Sequence, residues 1–190
     1  MSKPQPPPPG KLIFGLIYRE SAPARSCWEE LERLGGPWDY ISAVTAFHFT
    51  GYYEKEMGTP LFRRWGCSRG LVPQDHLAAI KLQTNELETR WANEGRRQVN
   101  VDPGILSAER LVLATGKNYI HRIYLGSGVY GDLTLIYSNG SYRPLPWTYP
   151  DYRVPETIAM FNILRNRYRM QLQIEMQTRN PKSEIRNKFK

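Results

Sequence analysis

Read in order, the 190 residues predict strand, helix, strand, strand, helix, strand. That order predicts an α+β fold: a ferredoxin-like sandwich with an antiparallel sheet, extended by an added β-hairpin and a long C-terminal helix. Three observations carry the prediction. Residues 11–18 are a compact apolar run bounded by Gly10 and by a polar stretch, as in a buried strand. From Pro73 the apolar spacing becomes helical, with Leu77, Ile80, Thr84, Leu87 and Trp91 on one stripe. Asn139-Gly140, between β-branched and aromatic segments, marks a two-residue hairpin turn. The expected organisation is a flexible Pro-rich arm over residues 1–10, a single α+β domain over 11–178 and a basic flexible tail over 179–190.

After the first strand, Ser26 is placed to cap a helix with Glu29 three residues on, and Gly35-Gly36 ends it. Residues 38–50 and 61–71, rich in aromatic and β-branched side chains, predict the second and third strands. The helix from Pro73 closes near Gly95, and residues 98–101 predict a short strand running into the turn Asp102-Pro103-Gly104. Residues 107–115 then predict a short helix, residues 118–125 and 132–137 two strands, and residues 141–144 the return arm of the Asn-Gly hairpin. Pro155 suits the first position of the terminal helix and Glu156 its dipole; Phe161, Leu164, Tyr168, Leu172 and Met176 form the apolar stripe, and Asn180-Pro181 stops it.

With 41% hydrophobic and 12% aromatic residues the chain can bury a core, which excludes thorough disorder and the collagen and coiled-coil classes. The longest apolar run, residues 12–18, is too short to span a bilayer, and residues 1–10 lack the parts of a secretory signal, so no membrane role and a cytoplasmic location are expected. Cys27 and Cys67 stand in no CxxC pattern, which suits reduced thiols, and the three histidines and two cysteines have no zinc-ligand spacing. The formal charge of +8 is uneven. Residues 1–154 hold 18 basic against 15 acidic side chains, a net of +3, while residues 155–190 hold 8 against 3, a net of +5. The basic helix and tail are therefore one candidate surface, for RNA or a protein partner, beside the plainer reading of a solvated helix and frayed end.

Gly126-Ser127-Gly128-Val129-Tyr130-Gly131 satisfies GxGxxG after a predicted strand, yet residues 132–137 read as another alternating strand rather than the helix a dinucleotide fold needs. A kinase-type glycine loop lacks its HRD, DFG and VAIK companions, and no GxxxxGK[ST] loop is present. The glycines read as a tight hairpin.

More informative is a clustering of ionisable residues where turn or core residues would suffice. Lys81, Thr84, Asn85 and Glu88 form a polar edge on the second long helix; Arg97, Asn100 and Asp102 come after it; Lys117, His121, Arg122 and Asp132 flank the next hairpin. Lys81, Asn85, Arg97, Asn100, Lys117 and Arg122 are types that bind phosphate or carboxylate oxygens. His121, Glu88 and Asp102 are candidates for proton transfer. Glu54, Glu56 and Asp132 offer hard oxygen ligands for Mg²⁺, the candidate cofactor. Together they suit a phosphorylated ligand such as a nucleotide, with Mg²⁺-dependent phosphoryl transfer or phosphoester hydrolysis as the attached chemistry.

Six segments, Tyr52-Tyr53-Glu54-Lys55-Glu56-Met57-Gly58, Ile80-Lys81-Leu82-Gln83-Thr84-Asn85, Val99-Asn100-Val101-Asp102-Pro103-Gly104, Leu113-Ala114-Thr115, His121-Arg122-Ile123-Tyr124-Leu125 and Trp147-Thr148-Tyr149-Pro150-Asp151-Tyr152, resemble in order the motifs of a bacterial and archaeal family designated domain of unknown function 4416. The resemblance runs from about Lys11 into the terminal helix and implies a small, cytosolic, single-domain protein. Some relatives carry a GTP-binding label, although the chain has neither a phosphate loop nor an NKxD motif, and Gly131-Asp132 stands where the resemblance leads one to expect Ala-Glu.

Overall fold

The computed structural model describes residues 3–19 and 23–179; the basic tail expected beyond Arg179, and Met1 and Ser2 of the expected arm, lie outside the described residues. In chain order the elements are strand β1 (Gly10–Arg19), helix α1 (Ala24–Gly35), strands β2 (Trp38–Ile41) and β3 (Thr45–Ala46), the single helical turn α2 (Glu54–Met57), strand β4 (Leu61–Val72), and a 3-10 turn (Gln74–His76) leading into helix α3 (Leu77–Arg90). Next come strands β5 (Val99–Leu106), β6 (Arg110–Thr115), β7 (Arg122–Gly126), β8 (Val129–Ser138) and β9 (Ser141–Pro144), then the short helix α4 (Pro150–Arg153) and the long helix α5 (Pro155–Arg179).

The strands join one open antiparallel sheet in the order β2-β4-β1-β5-β6-β8-β7, with β3 beside β2 along β4 and β9 beside β7 along β8. Because side chains alternate along a strand, consecutive residues of β1 serve opposite layers. Leu12, Phe14 and Leu16, with Val99 and Val101 of β5, pack on Cys27, Trp28 and Leu31 of α1 and on Ile80 and Leu87 of α3. Ile13, with Trp65, Cys67, Leu106, Leu111, Leu113 and Leu135, packs on Tyr152 of α4 and on Phe161, Leu164 and Tyr168 of α5. Helices therefore cover both faces of a mixed α/β fold, whereas a ferredoxin-like sandwich by itself carries them on one face of its sheet. The α5 stripe is buried at Phe161, Leu164 and Tyr168 and runs out beyond the sheet, where Met176 is 70% exposed. No helix among the described residues is long and apolar enough to cross a membrane.

Both predicted hairpins form. Ser127 (φ 52) and Gly128 (φ 76) join β7 to β8, and Asn139 (φ 50) and Gly140 (φ 81) join β8 to β9; each pair has the two positive φ values of a type I′ turn. Several boundaries differ from expectation. Ser26 lies inside α1, which makes no side-chain cap, and residues 38–50 break into β2 and β3. Residues 107–115, expected as a helix, hold a turn and then strand β6. Leu111 and Leu113 face the α5 layer while Ala114 faces α3, so a strand buried on both faces shows no alternation and reads like a short helix.

The most consequential difference is at Asp102-Pro103-Gly104, expected as a turn and found inside β5. β5 pairs with β1 from Val99 to Leu106, but with β6 only through Gly104, Ile105 and Leu106. Val101 directs its N–H and C=O away from β1, and by the period of two Pro103 faces the same way without an N–H to donate. The β5–β6 ladder ends there and the two strands part. The sheet is forked at its middle.

Candidate functional site

Side chains of α3 take the place of the missing strand. Val101 donates its N–H to Glu88 Oε1 at 2.8 Å, and Lys81 Nζ donates to the Val101 carbonyl at 2.9 Å and lies 3.7 Å from Glu88 Oε1. Both side chains of the predicted polar edge are thus buried, since an unpaired strand edge away from water must be satisfied by something. A cavity of about 730 Å³ opens in the fork, with Lys81, Asn85 and Glu88 from α3, Asn100 and Asp102 from β5, Leu113, Ala114 and Thr115 from β6, and Asp132 from β8 in its wall. Phe47, Phe49, Tyr52, Tyr53, Tyr149 and Tyr152 supply an aromatic side.

A chain of alternating charges crosses this wall. Arg97 grips Glu56 with Nε at 2.8 Å and Nη2 at 2.7 Å, and donates from Nη1 to Asn100 Oδ1 at 2.9 Å and to Glu88 Oε2 at 3.3 Å. Asn100 Nδ2 donates to Asp102 Oδ1 at 3.0 Å, and Asp102 Oδ2 accepts from Arg63 Nη1 at 3.1 Å. Arg63 Nη2 donates to the Tyr152 hydroxyl at 3.0 Å and lies 3.2 Å from Asp151 Oδ2, while its guanidinium stacks 3.9 Å above the Trp65 ring. Gly15 makes this crossing possible: a Cβ there would lie 2.6 Å from Trp65 and 2.7 Å from Arg63 Nη2, so only a residue without one leaves Arg63 room to reach over β1 to Asp102.

These pairings set the ionisation. Hydrogen bonds from Arg97 hold the Glu56 carboxyl below its usual range, and the same contacts raise Arg97. Burial raises Glu88 and Asp151, each against a neighbouring cation, and burial raises the Tyr53 phenol. Burial pulls the Arg63 guanidinium down, but Tyr152, Asp151 and Asp102 outweigh it and hold the group above its ordinary value. Cys27 and Cys67 are both buried, with thiols pushed up to about 12 by burial, so neither is an available thiolate.

The second group of predicted residues lies across the fork. Asp132 Oδ2 accepts from Arg122 Nε at 2.8 Å and lies 3.3 Å from His121 Nε2, and Asp132 is 3% exposed at the cavity wall. His121 stacks on Trp147 with centroids 4.7 Å apart and lies behind the carboxylate. Both residues are expected to line the site, His121 for proton transfer and Asp132 as a Mg²⁺ ligand; Asp132 faces the cavity, whereas His121 backs it. Arg122 is also turned inward, donating to the Lys117 carbonyl and the Tyr149 hydroxyl at 2.9 Å each. Lys117 Nζ donates to the Tyr52 hydroxyl at 2.6 Å, which lowers the Tyr52 phenol.

The expected Mg²⁺ set does not assemble. Glu56 is spent on Arg97, Asp132 gives one of its two oxygens to Arg122, and Glu54 is exposed and absent from the cavity wall. Among the described residues no three His, Cys, Asp or Glu side chains gather to hold a metal ion. The remaining expected residues, Lys81, Asn85, Glu88, Arg97, Asn100, Asp102 and Lys117, all reach the cavity.

Residues 8–168 match the sequence model of the family described as Domain of unknown function (DUF4416). The chain belongs to the DUF4416 family. No curated protein and no solved structure is significantly similar to it. The six segments that resemble DUF4416 motifs converge on the fork: Tyr52, Lys81, Asn100, Thr115 and Tyr149 each bring one of them to the cavity wall, and Arg122 of the sixth holds Asp132.

Sequence reasoning missed Arg63, Asp151 and the part of the aromatic side of this DUF4416 cavity that Phe47, Phe49, Tyr52 and Tyr53 supply. For Arg63 a signal exists, since Leu61, Arg63, Trp65 and Cys67 share the inward face of β4 and a lone arginine there needs partners. Asp151 and Tyr152 lie on α4, in the aromatic segment 147–152, which by its composition suits either stacking on a base or a partner, or a plain loop packed over the sheet; no local pattern points the Asp151 carboxylate at the site.

Proposed function

We propose that the fork cavity binds a phosphorylated small molecule, a nucleotide, with its planar ring against the aromatic side. The observation that carries this reading is the combination of that side with polar groups left unspent. Among the described residues nothing hydrogen-bonds the Asn85 side-chain amide or Asp132 Oδ1, although both residues line the cavity and the Arg63, Arg97 and Arg122 guanidiniums are each paired with a carboxylate. An amide offers a donor and an acceptor, and a carboxylate oxygen an acceptor, which suits the edge of a base. The volume is within the range of small-molecule sites. The role is binding; no proton-transfer or metal-dependent step is assigned.

The test is a thermal-shift panel of nucleosides and nucleotides. A ligand at about 100 times its Kd stabilises by roughly 2.7 kcal/mol, so a binding nucleotide raises Tm, and Asp132→Asn reduces that shift. A panel in which no member raises Tm overturns the reading.

For the architecture, we propose that residues 10–106 form a ferredoxin-like unit. It is supported by the succession β1, α1, β2, β4, α3, β5, by the order β2-β4-β1-β5, and by α1 and α3 sharing one face, with β6–β9 and α5 as additions.

A second reading, binding of RNA or a protein through α5 and the basic tail, has one observation in its favour. Ile163, Met170, Ile174 and Met176 are 55–70% exposed on α5. Because Phe161, Leu164 and Tyr168 belong to the core, the test removes residues 180–190 only. RNA binding that falls steeply with salt and is lost in the truncated protein supports this reading, and binding unchanged by the truncation opposes it.

A further inference from the structure

The charges of the cavity wall are balanced, and their pairing limits what a ligand can bring. Arg63, Lys81, Arg97 and Lys117 face Glu88, Asp102, Asp132 and Asp151. Arg63 is held by Asp102 and Asp151, Arg97 by Glu56 and Glu88, and Lys81 by Glu88 and a carbonyl. Arg122, just behind the wall, is held by Asp132. A polyanion entering the fork would find these cations already paired with carboxylates, leaving none of them to offset the cost of desolvating further phosphates.

Lys117 differs. Among the described residues it has no carboxylate within 4.0 Å, and its Nζ is engaged by the Tyr52 hydroxyl at 2.6 Å. Both side chains are exposed, and they come from segments 65 residues apart, so their contact spans the rim of the cavity. A phosphate oxygen is a stronger acceptor for an ammonium than a phenol is, because both partners carry charge. Gly116, beside Lys117, has open space where a Cβ would be and admits a ligand close to the backbone.

Building on the nucleotide reading, we infer that the ligand is a nucleoside monophosphate, with an uncharged ring and sugar inside the fork and a single phosphate at the rim on Lys117, replacing the Tyr52 hydroxyl. Among the described residues, the cavity wall holds no cation besides Lys117 that is without a carboxylate partner for the second and third phosphates of a triphosphate.

The experiment is calorimetric titration of the intact protein with adenosine, guanosine, cytidine and uridine and their 5′-mono-, di- and triphosphates, with and without Mg²⁺. For the preferred base, the monophosphate binds about tenfold tighter than the nucleoside, as one charge-assisted contact warrants, and further phosphates add nothing. The ratio of monophosphate to nucleoside affinity collapses toward one in Lys117→Met and grows in Tyr52→Phe, which frees the ammonium. Affinity that climbs with each phosphate to the triphosphate, or a ratio that Lys117→Met leaves intact, overturns the inference while the nucleotide reading stands. If no nucleoside or nucleotide binds, the nucleotide reading itself falls and takes this inference with it.

Discussion

Arg63→Ala is expected to lower the stability of the folded domain by about 3–5 kcal/mol, the cost typical of removing one partner from a buried ion pair. Arg63 is 2% exposed, and its guanidinium is the shared partner of Asp102, Asp151 and the Tyr152 hydroxyl. Alanine leaves two carboxylates without their cation and removes the plate that stacks on Trp65. Arg63→Lys keeps a charge but cannot reach several acceptors as a planar fork, so its cost falls between those of alanine and the parent. Urea unfolding is the measurement: the midpoint moves down with an unchanged slope for both variants, further for alanine. A loss under about 1 kcal/mol in Arg63→Ala would show that the pairing contributes no more than an exposed salt bridge.

Glu88→Ala is expected to cost a comparable amount, about 3–5 kcal/mol, by a different route. It leaves the buried Lys81 ammonium without its carboxylate and the Val101 N–H without an acceptor, at the place where the sheet has no neighbouring strand. Glu88→Gln costs less, because its amide oxygen still accepts from Val101. The same pair of variants separates a pH effect. Burial holds the Glu88 carboxyl above its ordinary 4.5, so between that value and the raised one the folded chain retains a proton that the unfolded chain releases. Stability from this group falls as pH rises through that interval, and Glu88→Gln flattens the slope. Glu56 acts with the opposite sign: Arg97 holds it below 4.5, so its contribution is present above 4.5 and lost as pH falls toward the lowered value. Unfolding curves collected across this range check the first sign by comparing parent with Glu88→Gln and the second by comparing parent with Glu56→Gln, and identical slopes for parent and Glu88→Gln would show that Glu88 titrates alike in the folded and unfolded chain.

What could be read in advance tracked the strength of local signals. β1, α5 and the Asn139-Gly140 and Ser127-Gly128 turns are set by short-range patterns, a dense apolar run, a long stripe or two left-handed residues, and each forms where those patterns predict. The fork was not legible in this way, because Pro103 and Gly104 have the local chemistry of a turn while their position is decided by β1, which pairs straight through them. The ionisable residues were found as a group since charge in place of apolar side chains is visible in a string of letters. Their roles were not visible. Whether Lys81 is a free cation or the partner of a carbonyl depends on Val101, twenty residues away, and whether His121 or Asp132 faces the cavity depends on Trp147 behind the ring. Arg63 lay between these cases, exposed to inference by the alternation of β4 but with partners on β5 and α4 that no local spacing supplies.

Three residue pairs tie β5 to β6, and beyond them the nine strands among the described residues divide into two blades with no ladder between them. A molecule touching Asn100 and Asp102 on one blade and Thr115 and Asp132 on the other is then a strut as well as a guest. It substitutes for the rungs that Pro103 forbids, so recognition and the stiffness of the domain become a single property.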